Sequence, residues 1–300
     1  MAENSRRGLL LGGAAFLLFF LVVFAIVYLG LVGARTGPFT GFGGQIGIVD
    51  LEGMILTPKD TVNQLHRFAD DGSIKAIVLH INSPGGGSAA SEEIYREVRR
   101  IRDQRKKRIV ASIETVGASG AYYVASGTNR IFADNASLVG SIGVIGEWYN
   151  YGDLLRWAKL KEEVIKTGEF KDTGDPAREL TPAERQYLQD MADNICQQFI
   201  AVVAEGRGLP VQDVKVLATG RVWTGQQALP LKLIDQIGDL HAAIDDTAKS
   251  VGIIGEPSLV RAEREKTGLL DLLIGDEARS WLPDPAKLMQ KNMEFYFLWK

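Results

Sequence analysis

A serine flanked by small residues is the strongest candidate for a nucleophile in this chain. The segment 117–121 reads Gly-Ala-Ser-Gly-Ala between two apolar runs, which predicts Ser119 at a sharp turn from a strand into a helix. Such a turn exposes the hydroxyl, and backbone N–H groups at the helix start can face a developing oxyanion. The pattern favours Ser119 as a nucleophile, although a loop serine near a helix cap would share the same local sequence.

A serine hydroxyl is a weak nucleophile and needs a base. In an α/β-hydrolase an acidic residue and then a histidine follow the serine, and only His241 lies downstream of Ser119. Asp235 and Asp239 stand just before His241, a cramped spacing that disfavours this arrangement. A lysine kept uncharged by burial is the other base. Spacing alone does not select Lys171 from the remaining lysines.

Composition excludes several classes of site. The 300 residues, 46% hydrophobic and 24% charged, are typical of a globular protein. One cysteine excludes a disulfide within the chain, and three histidines without paired spacing leave little for a metal, so neither a metal nor an organic cofactor is expected. A net charge of −3 and a basic run at 96–108 without interleaved aromatics predict no nucleic-acid partner.

An uncharged stretch near the N-terminus predicts a membrane anchor. Residues 8–33 contain no charged side chain, and a helix of that length spans roughly 39 Å, enough to cross a bilayer with tilt. Arg6 and Arg7 favour a cytoplasmic N-terminus at 1–7. The prediction is a single pass through the inner (plasma) membrane, with the rest on the periplasmic or extracytoplasmic side. The rival is a cleaved signal peptide ending near Val32-Gly33-Ala34.

The elements that must position Ser119 alternate between strand and helix. A Gly-rich linker is predicted at 34–45. Apolar runs then predict a mostly parallel sheet covered on both faces. Two Gly-rich loops, 82–87 and 115–120, would follow strand carboxyl ends and converge on one site. The predicted strands are 46–51, 74–81, 108–114, 130–133, 141–147 and 163–166, and the helices between them are 59–69, 88–105 and 121–126.

Helices dominate beyond residue 152. Thr181 is predicted to cap a long helix that runs to about residue 205. A tail at 263–300 carries apolar residues that must be covered by another surface. That surface is another subunit, the membrane or the domain itself. The other helices are predicted at 154–159, 210–218, 225–229 and 241–251.

Five motifs in fixed order resemble the short, membrane-anchored form of signal peptide peptidase A. They cover about residues 46 to 250 and read SPGGG (83–87), VGASGAYYVAS (116–126), VGSIGVIG (139–146), GEFKD (168–172) and GRVWTGQQAL (220–229). The family's core resembles that of the Clp protease proteolytic subunit and of crotonases. The resemblance implies an α/β fold with that parallel-sheet core at 46–262, a helical C-terminal part, and one N-terminal transmembrane helix before it.

The resemblance also implies a Ser–Lys dyad. Ser119 matches the nucleophile and Lys171 the general base. Gly86 and Gly120 match the backbone donors of the oxyanion hole, where glycine permits close approach. Ser141 matches a hydroxyl that helps to hold the lysine.

The function implied is that of a membrane-anchored serine endopeptidase that degrades cleaved signal peptides and other unfolded apolar peptides. The family shows Gly-Gly after the nucleophile where this chain has Gly120-Ala121, a change expected to affect substrate fit. Short forms assemble as homo-oligomeric rings whose sites combine serine and lysine from neighbouring subunits. Two alternatives stay open: a crotonase-like acyl-thioester enzyme, and a non-catalytic membrane-tethered scaffold ring.

Overall fold

A computed structural model describes residues 44–262 and 295–299. Its strands are β1 (Gln45–Glu52), β2 (Ile74–Ser83), β3 (Gly85–Gly87), β4 (Arg108–Ala118), β5 (Arg130–Ala133), β6 (Leu138–Gly140), β7 (Ile145–Gly146), β8 (Val222–Thr224), β9 (Gln236–Ile237), β10 (Ser258–Arg261) and β11 (Phe295–Leu298). Its helices are α1 (Lys59–Asp70), α2 (Ser88–Asp103), α3 (Gly120–Ala125), α4 (Gly152–Trp157), α5 (Pro182–Arg207), α6 (Val211–Leu217), α7 (Gly225–Ala228) and α8 (Leu240–Ser250).

The core is a parallel sheet with strand order β10-β1-β2-β4-β5-β9, which confirms the predicted α/β class. Both faces are buried, as continuous apolar strands require. Ile46 and Ile48 pack with Ile244 of α8 on one face. Val49 and Leu51 join the larger cluster on the opposite face, together with side chains of α1, α2 and α3.

The strand that leads to Ser119, β4, is longer at its carboxyl end than the sequence predicts. The sequence predicts a loop at 115–120, but β4 continues to Ala118 because β6 pairs alongside it in parallel register. Ser83 at the end of β2 lies opposite Gly117. The carboxyl ends of β2, β4 and β6 therefore meet at one edge.

A second, antiparallel sheet was not predicted. Its order is β3-β11-β7, so Phe295–Leu298 lies between Gly85–Gly87 and Ile145–Gly146. The predicted loop at 82–87 is thus wrong, because the end of β2 and then β3 occupy it. We call the space between β3 and β7 the strand cleft. For these tail residues, the domain itself is the partner.

Two further predicted strands were wrong. Of the run predicted at 141–147 only the two residues of β7 form a strand, and β6 ends one residue before the run begins. Residues 163–166 form no strand and are exposed, so no neighbouring strand supplies hydrogen bonds to them. The predicted helices are present with ends shifted by up to two residues.

The cap of α5 is confirmed. The Thr181 hydroxyl accepts from Glu184 N at 3.2 Å, and Glu184 Oε2 accepts from Thr181 N at 2.8 Å, forming a capping box.

The predicted transmembrane helix at 8–33, most of the linker and the tail up to residue 294 lie outside the described residues. Across 44–262 and 295–299, none of the helices combines the length and apolar character that a membrane crossing needs.

Candidate active site

Ser119 occupies a strained turn between β4 and α3. Its backbone has φ 53° and ψ −117°, a conformation that residues with a side chain rarely adopt. Two hydrogen bonds hold it there: Ser119 N donates to Gly140 O at 2.7 Å, and Tyr123 N donates to Ser119 O at 2.8 Å. Strain of this kind costs about 1–3 kcal/mol and is concentrated at functional sites.

The Ser119 hydroxyl is buried without a hydrogen-bond partner among the described residues. The residue is 1% exposed. A buried polar atom without a partner costs about 1–3 kcal/mol, so folded proteins rarely retain one. A hydroxyl left available in this way is free to engage a base and a substrate.

The backbone of Gly86 closely approaches that of Gly120, the residue that follows Ser119. Ile55 N donates to Gly85 O at 2.9 Å and Gly87 N donates to Ile55 O at 2.8 Å. Because peptide groups alternate along a strand, the amide of Gly86 points the other way, into the strand cleft. A Cβ on Gly120 would lie 3.2 Å from Gly86 N, and one on Gly86 would lie 2.1 Å from Ile55 O.

A peptide carbonyl of the chain already lies where the Gly86 and Gly120 backbones meet. Phe297 is paired with Gly86, and Trp299 N donates to Pro84 O at 2.9 Å two residues further along. The alternation of an antiparallel ladder makes Phe297 and Gly86 a hydrogen-bonded pair, in which Gly86 N donates to Phe297 O. Phe297 O also lies 3.1 Å from the position of a Cβ on Gly120.

The Phe297 side chain fills an aromatic pocket that sequence reasoning missed. Its ring stacks on Tyr123 with centroids 5.1 Å apart and packs against Phe199 at 4.7 Å. Phe297 is 2% exposed. Burial raises the pKa of the Tyr123 hydroxyl. Tyr123 and Phe199 come from α3 and α5. Tyr123 belongs to the motif at 116–126, but nothing in the sequence indicated that a ring from the tail packs against it.

Ser141 lies next to the residue that holds the Ser119 backbone. It has φ 51°, and its N donates to Arg221 O at 2.8 Å. Its hydroxyl donates to Gly220 O at 3.2 Å rather than contacting a lysine. The structure therefore gathers Ser119, Gly86, Gly120 and the backbone of Ser141 at one place.

Lys171 makes no hydrogen bond to the Ser119 hydroxyl among the described residues of one chain. It lies on a largely exposed segment, residues 149–181, which we call the arm. Its ammonium group makes no hydrogen bond or ion pair with any described residue, and the Ser119 hydroxyl is likewise unpartnered. The Ser–Lys hydrogen bond is thus absent from the described part of one chain, and a dyad between two copies stays a prediction.

Ion pairs fix the part of the arm that carries Lys171 onto α5. Arg178 Nη2 lies 2.5 Å from Glu184 Oε1 and 3.0 Å from Asp172 Oδ1. The hydrogen bonds from Arg178 outweigh burial and lower the pKa of Glu184 to about 2. The Phe170 ring also packs on Tyr187, with centroids 5.2 Å apart. The backbone that carries Lys171 is therefore held although its side chain is exposed.

Other reactive side chains in the described ranges form no second site. Over 44–262 and 295–299 no group of three or more His, Cys, Asp or Glu side chains is arranged to hold a metal ion. Cys196 is partly buried against the core. Burial raises the pKa of its thiol, which disfavours the reactive thiolate.

Comparison with known proteins gives consistent matches. Residues 101–253 match the model of peptidase family S49. A protein of Enterococcus faecium named as signal peptide peptidase SppA is 32% identical over 73% of this chain and 63% of its own length. A protein of Synechocystis sp. named as a protease is 37% identical over 70% of this chain and 75% of its own. The chloroplastic serine protease SPPA of Arabidopsis thaliana is 32% identical over 82% of this chain and 37% of its own.

Proposed function

Because the chain belongs to peptidase family S49, as its five motifs suggested, we propose that it is a serine peptidase with Ser119 as nucleophile and Lys171 as general base. The observation that carries the proposal is the buried, unpartnered Ser119 hydroxyl, next in the chain to the close approach of the Gly120 and Gly86 backbones. The names of the relatives that contain "serine protease" and "signal peptide peptidase" support the same interpretation.

The geometry suits acyl transfer. In the proposed reaction Lys171 takes the Ser119 proton while Ser119 Oγ attacks the substrate carbonyl carbon. The Gly86 and Gly120 amides stabilise the negative charge that develops on the carbonyl oxygen. The leaving amine takes up a proton, and water then hydrolyses the acyl-enzyme. Ser141 would orient the lysine from a neighbouring position, since a hydroxyl adds no charge beside it.

A second copy of the chain would supply the missing base. The arm exposes large apolar side chains, with Tyr149 at 81%, Trp157 at 82% and Ile165 at 103% of their reference areas. Apolar surface of this kind is covered in assemblies. We therefore propose a homo-oligomer, in the form of a ring, in which the arm of one subunit delivers Lys171 to the Ser119 turn of its neighbour.

The setting proposed is the outer side of the inner (plasma) membrane. The uncharged residues 8–33 would anchor the chain by one helix and place residues 46–262 in the periplasm or its extracytoplasmic equivalent. Cleaved signal peptides and other unfolded apolar peptides would be the substrates, since they are released close to this surface. We also propose that the sheet core resembles those of the Clp protease proteolytic subunit and of crotonases.

Active-site labelling tests the chemistry. A fluorophosphonate probe should label the purified full-length oligomer and not its Ser119→Ala variant, and peptide hydrolysis by that variant should fall on the order of 10⁴–10⁶-fold. Ser73→Ala, which changes an exposed serine far along the chain, is the matched control. Probe labelling that survives Ser119→Ala would overturn the proposal, and an unlabelled wild type would favour the scaffold ring or the acyl-thioester enzyme.

A further inference from the structure

Two serines outside the proposed dyad, Ser83 and Ser91, hold the two ends of the glycine strand β3. Both are buried, with an exposed fraction of 0%. We propose that they are positioning residues for the oxyanion hole, because they fix the backbone that carries the Gly86 amide. This inference rests on the serine chemistry proposed above and adds two side chains to which the relatives' names give no role.

Strand β3 needs support from other parts of the chain because its three residues are all glycines. Glycine has more backbone freedom than any other residue. A stiffer residue does not fit here, since a Cβ on Gly85 would lie 2.6 Å from Gly120 N and one on Gly86 would overlap Ile55 O. Gly85 also has φ 99°, which favours glycine. An oxyanion donor must be held in place before the reaction, so hydrogen bonds have to supply the rigidity.

Each serine binds one end of β3. Ser83, the last residue of β2, accepts a hydrogen bond at Oγ from Gly85 N at 3.1 Å. Ser91, in the first turn of α2, donates from Oγ to Gly87 O at 2.9 Å. Because both serines are inaccessible to solvent, water does not compete for these bonds. The first and the last peptide groups of β3 are therefore fixed by side chains.

The middle of β3 is held by Ile55. Ile55 N donates to Gly85 O, and Gly87 N donates to Ile55 O. Because a peptide group is planar and trans, the N–H of Gly86 points away from Gly85 O and enters the strand cleft. Rotating this peptide group would break the bond to Ile55 and move the ends that the serines hold. The Gly86 amide is thus aligned before a substrate arrives.

Ser91 also contacts the second proposed oxyanion donor. A Cβ on Gly120 would overlap Ser91 Oγ, so this hydroxyl lies directly against the Gly120 backbone. Gly120 follows Ser119 and begins α3. One small side chain therefore spaces α2 from the start of α3 and also binds the strand that supplies the other donor.

Steady-state kinetics of the full-length oligomer tests the proposal, with an internally quenched apolar peptide as substrate. Ser91→Ala should lower kcat about 10-fold and change KM less than about 2-fold, because a misaligned donor weakens transition-state binding alone. Ser83→Ala should lower kcat about 5-fold for the same reason. The matched control is Thr247→Val on α8, at the opposite face of the sheet. Thr247 is equally buried, and its hydroxyl donates to Ala243 O. Its kcat should stay at the wild-type value.

Double variants separate positioning from a general loss of stability. Gly86→Ala already displaces the amide, so adding Ser91→Ala should lower kcat no more than about 2-fold further. In a Gly72→Ala background, where the new Cβ meets nothing within 4 Å, Ser91→Ala should keep its full effect of about 10-fold. Urea unfolding shows which variants are folded under assay conditions. If Ser91→Ala does not fold, Ser83→Ala takes its place in the same comparison.

Wild-type kcat in either serine variant would overturn the inference for that serine. An undiminished effect of Ser91→Ala in the Gly86→Ala background, or an equal loss of kcat in Thr247→Val, would overturn the positioning role. All of these results leave the serine chemistry intact as long as Ser119→Ala is inactive. Hydrolysis of the same peptide by Ser119→Ala at the wild-type rate would instead overturn the serine chemistry.

Discussion

The turn that carries Ser119 and the arm that carries Lys171 are built in opposite ways. The turn is enclosed by β4, β6 and α3, and its backbone is held by hydrogen bonds from both sides. The arm is exposed along most of its length and is tied down mainly where Arg178 meets Glu184. One region is complete within a chain and the other offers its reactive side chain to solvent. This contrast supports the proposal that a nucleophile half-site and a base half-site are folded separately and are joined between two copies of the chain.

Complementation between inactive chains is the sharpest way to break this comparison. Lys171→Ala and Lys171→Arg should each lower peptide hydrolysis on the order of 10²–10⁴-fold, since arginine keeps its proton and cannot act as a base. A mixed oligomer of Ser119→Ala and Lys171→Ala chains should regain roughly a quarter of wild-type activity if each site draws on two subunits.

The control for the lysine is Lys161→Ala, an exposed lysine on the same arm. It should leave hydrolysis unchanged. Mixed oligomers that stay inactive after co-refolding, with each variant folded and assembled, would show that serine and lysine come from the same chain.

Gly86→Ala tests whether catalysis at the Ser119 turn depends on the close approach of the Gly86 backbone. The new Cβ would meet Ile55 O at 2.1 Å, so β3 must shift and the amide loses its alignment. Loss of one oxyanion donor costs about 10²–10³-fold in kcat, and little change in KM is expected. Steady-state kinetics measures both. Gly72→Ala is the control, and a Gly86→Ala enzyme with wild-type kcat would remove this residue from the oxyanion hole.

The stability of the folded chain at acid pH tests whether the ion pairs around Arg178 hold the arm. The low pKa of Glu184, set first by the hydrogen bond from Arg178, means that its charged form is favoured in the folded chain. This contribution is fully present above the ordinary carboxyl pKa of about 4.3 and is lost as pH falls toward about 2. Glu184→Gln should therefore lower the free energy of unfolding by about 1–3 kcal/mol at neutral pH and flatten its dependence on pH below about 5.

Urea unfolding at pH 7 and at pH 3 measures this effect. Glu163→Gln, an exposed carboxyl group on the same arm, is the matched control. Identical pH profiles for Glu184→Gln and wild type would show that the ion pairs around Arg178 do not hold the arm.

The smallest effect is expected at the Ser119 backbone itself. Glycine adopts positive φ without strain, so Ser119→Gly should unfold with a free energy about 1 kcal/mol higher than Ser119→Ala. Both variants lack the hydroxyl, so the comparison isolates the backbone. Thermal unfolding of the two inactive variants side by side measures the difference, and equal stability would contradict a strained turn.

Local sequence patterns predicted the central strands β1, β2, β4 and β5, the helices and the turn at Ser119, but not the outer strands β9 and β10. Apolar runs such as 74–81 identify buried strands, and Thr181 with Glu184 identifies a helix start. The antiparallel sheet was missed because three glycines have no strand propensity of their own and their partner is distant. Ser88 and Phe295, for example, lie 207 positions apart. The strand expected at 163–166 failed for the opposite reason, since its apolar side chains have no neighbouring strand and are exposed.

β11 is paired with another strand along both of its edges, and this bears on which proteins could be substrates. A segment that lies as β11 does gives hydrogen bonds to β3 on one side and to β7 on the other. An edge strand of a folded protein has only one free edge, because its own sheet occupies the other. A substrate that entered the cleft in the way β11 does could therefore not be an edge strand of an intact protein, whatever its sequence. It would have to be a chain released from all its own pairing.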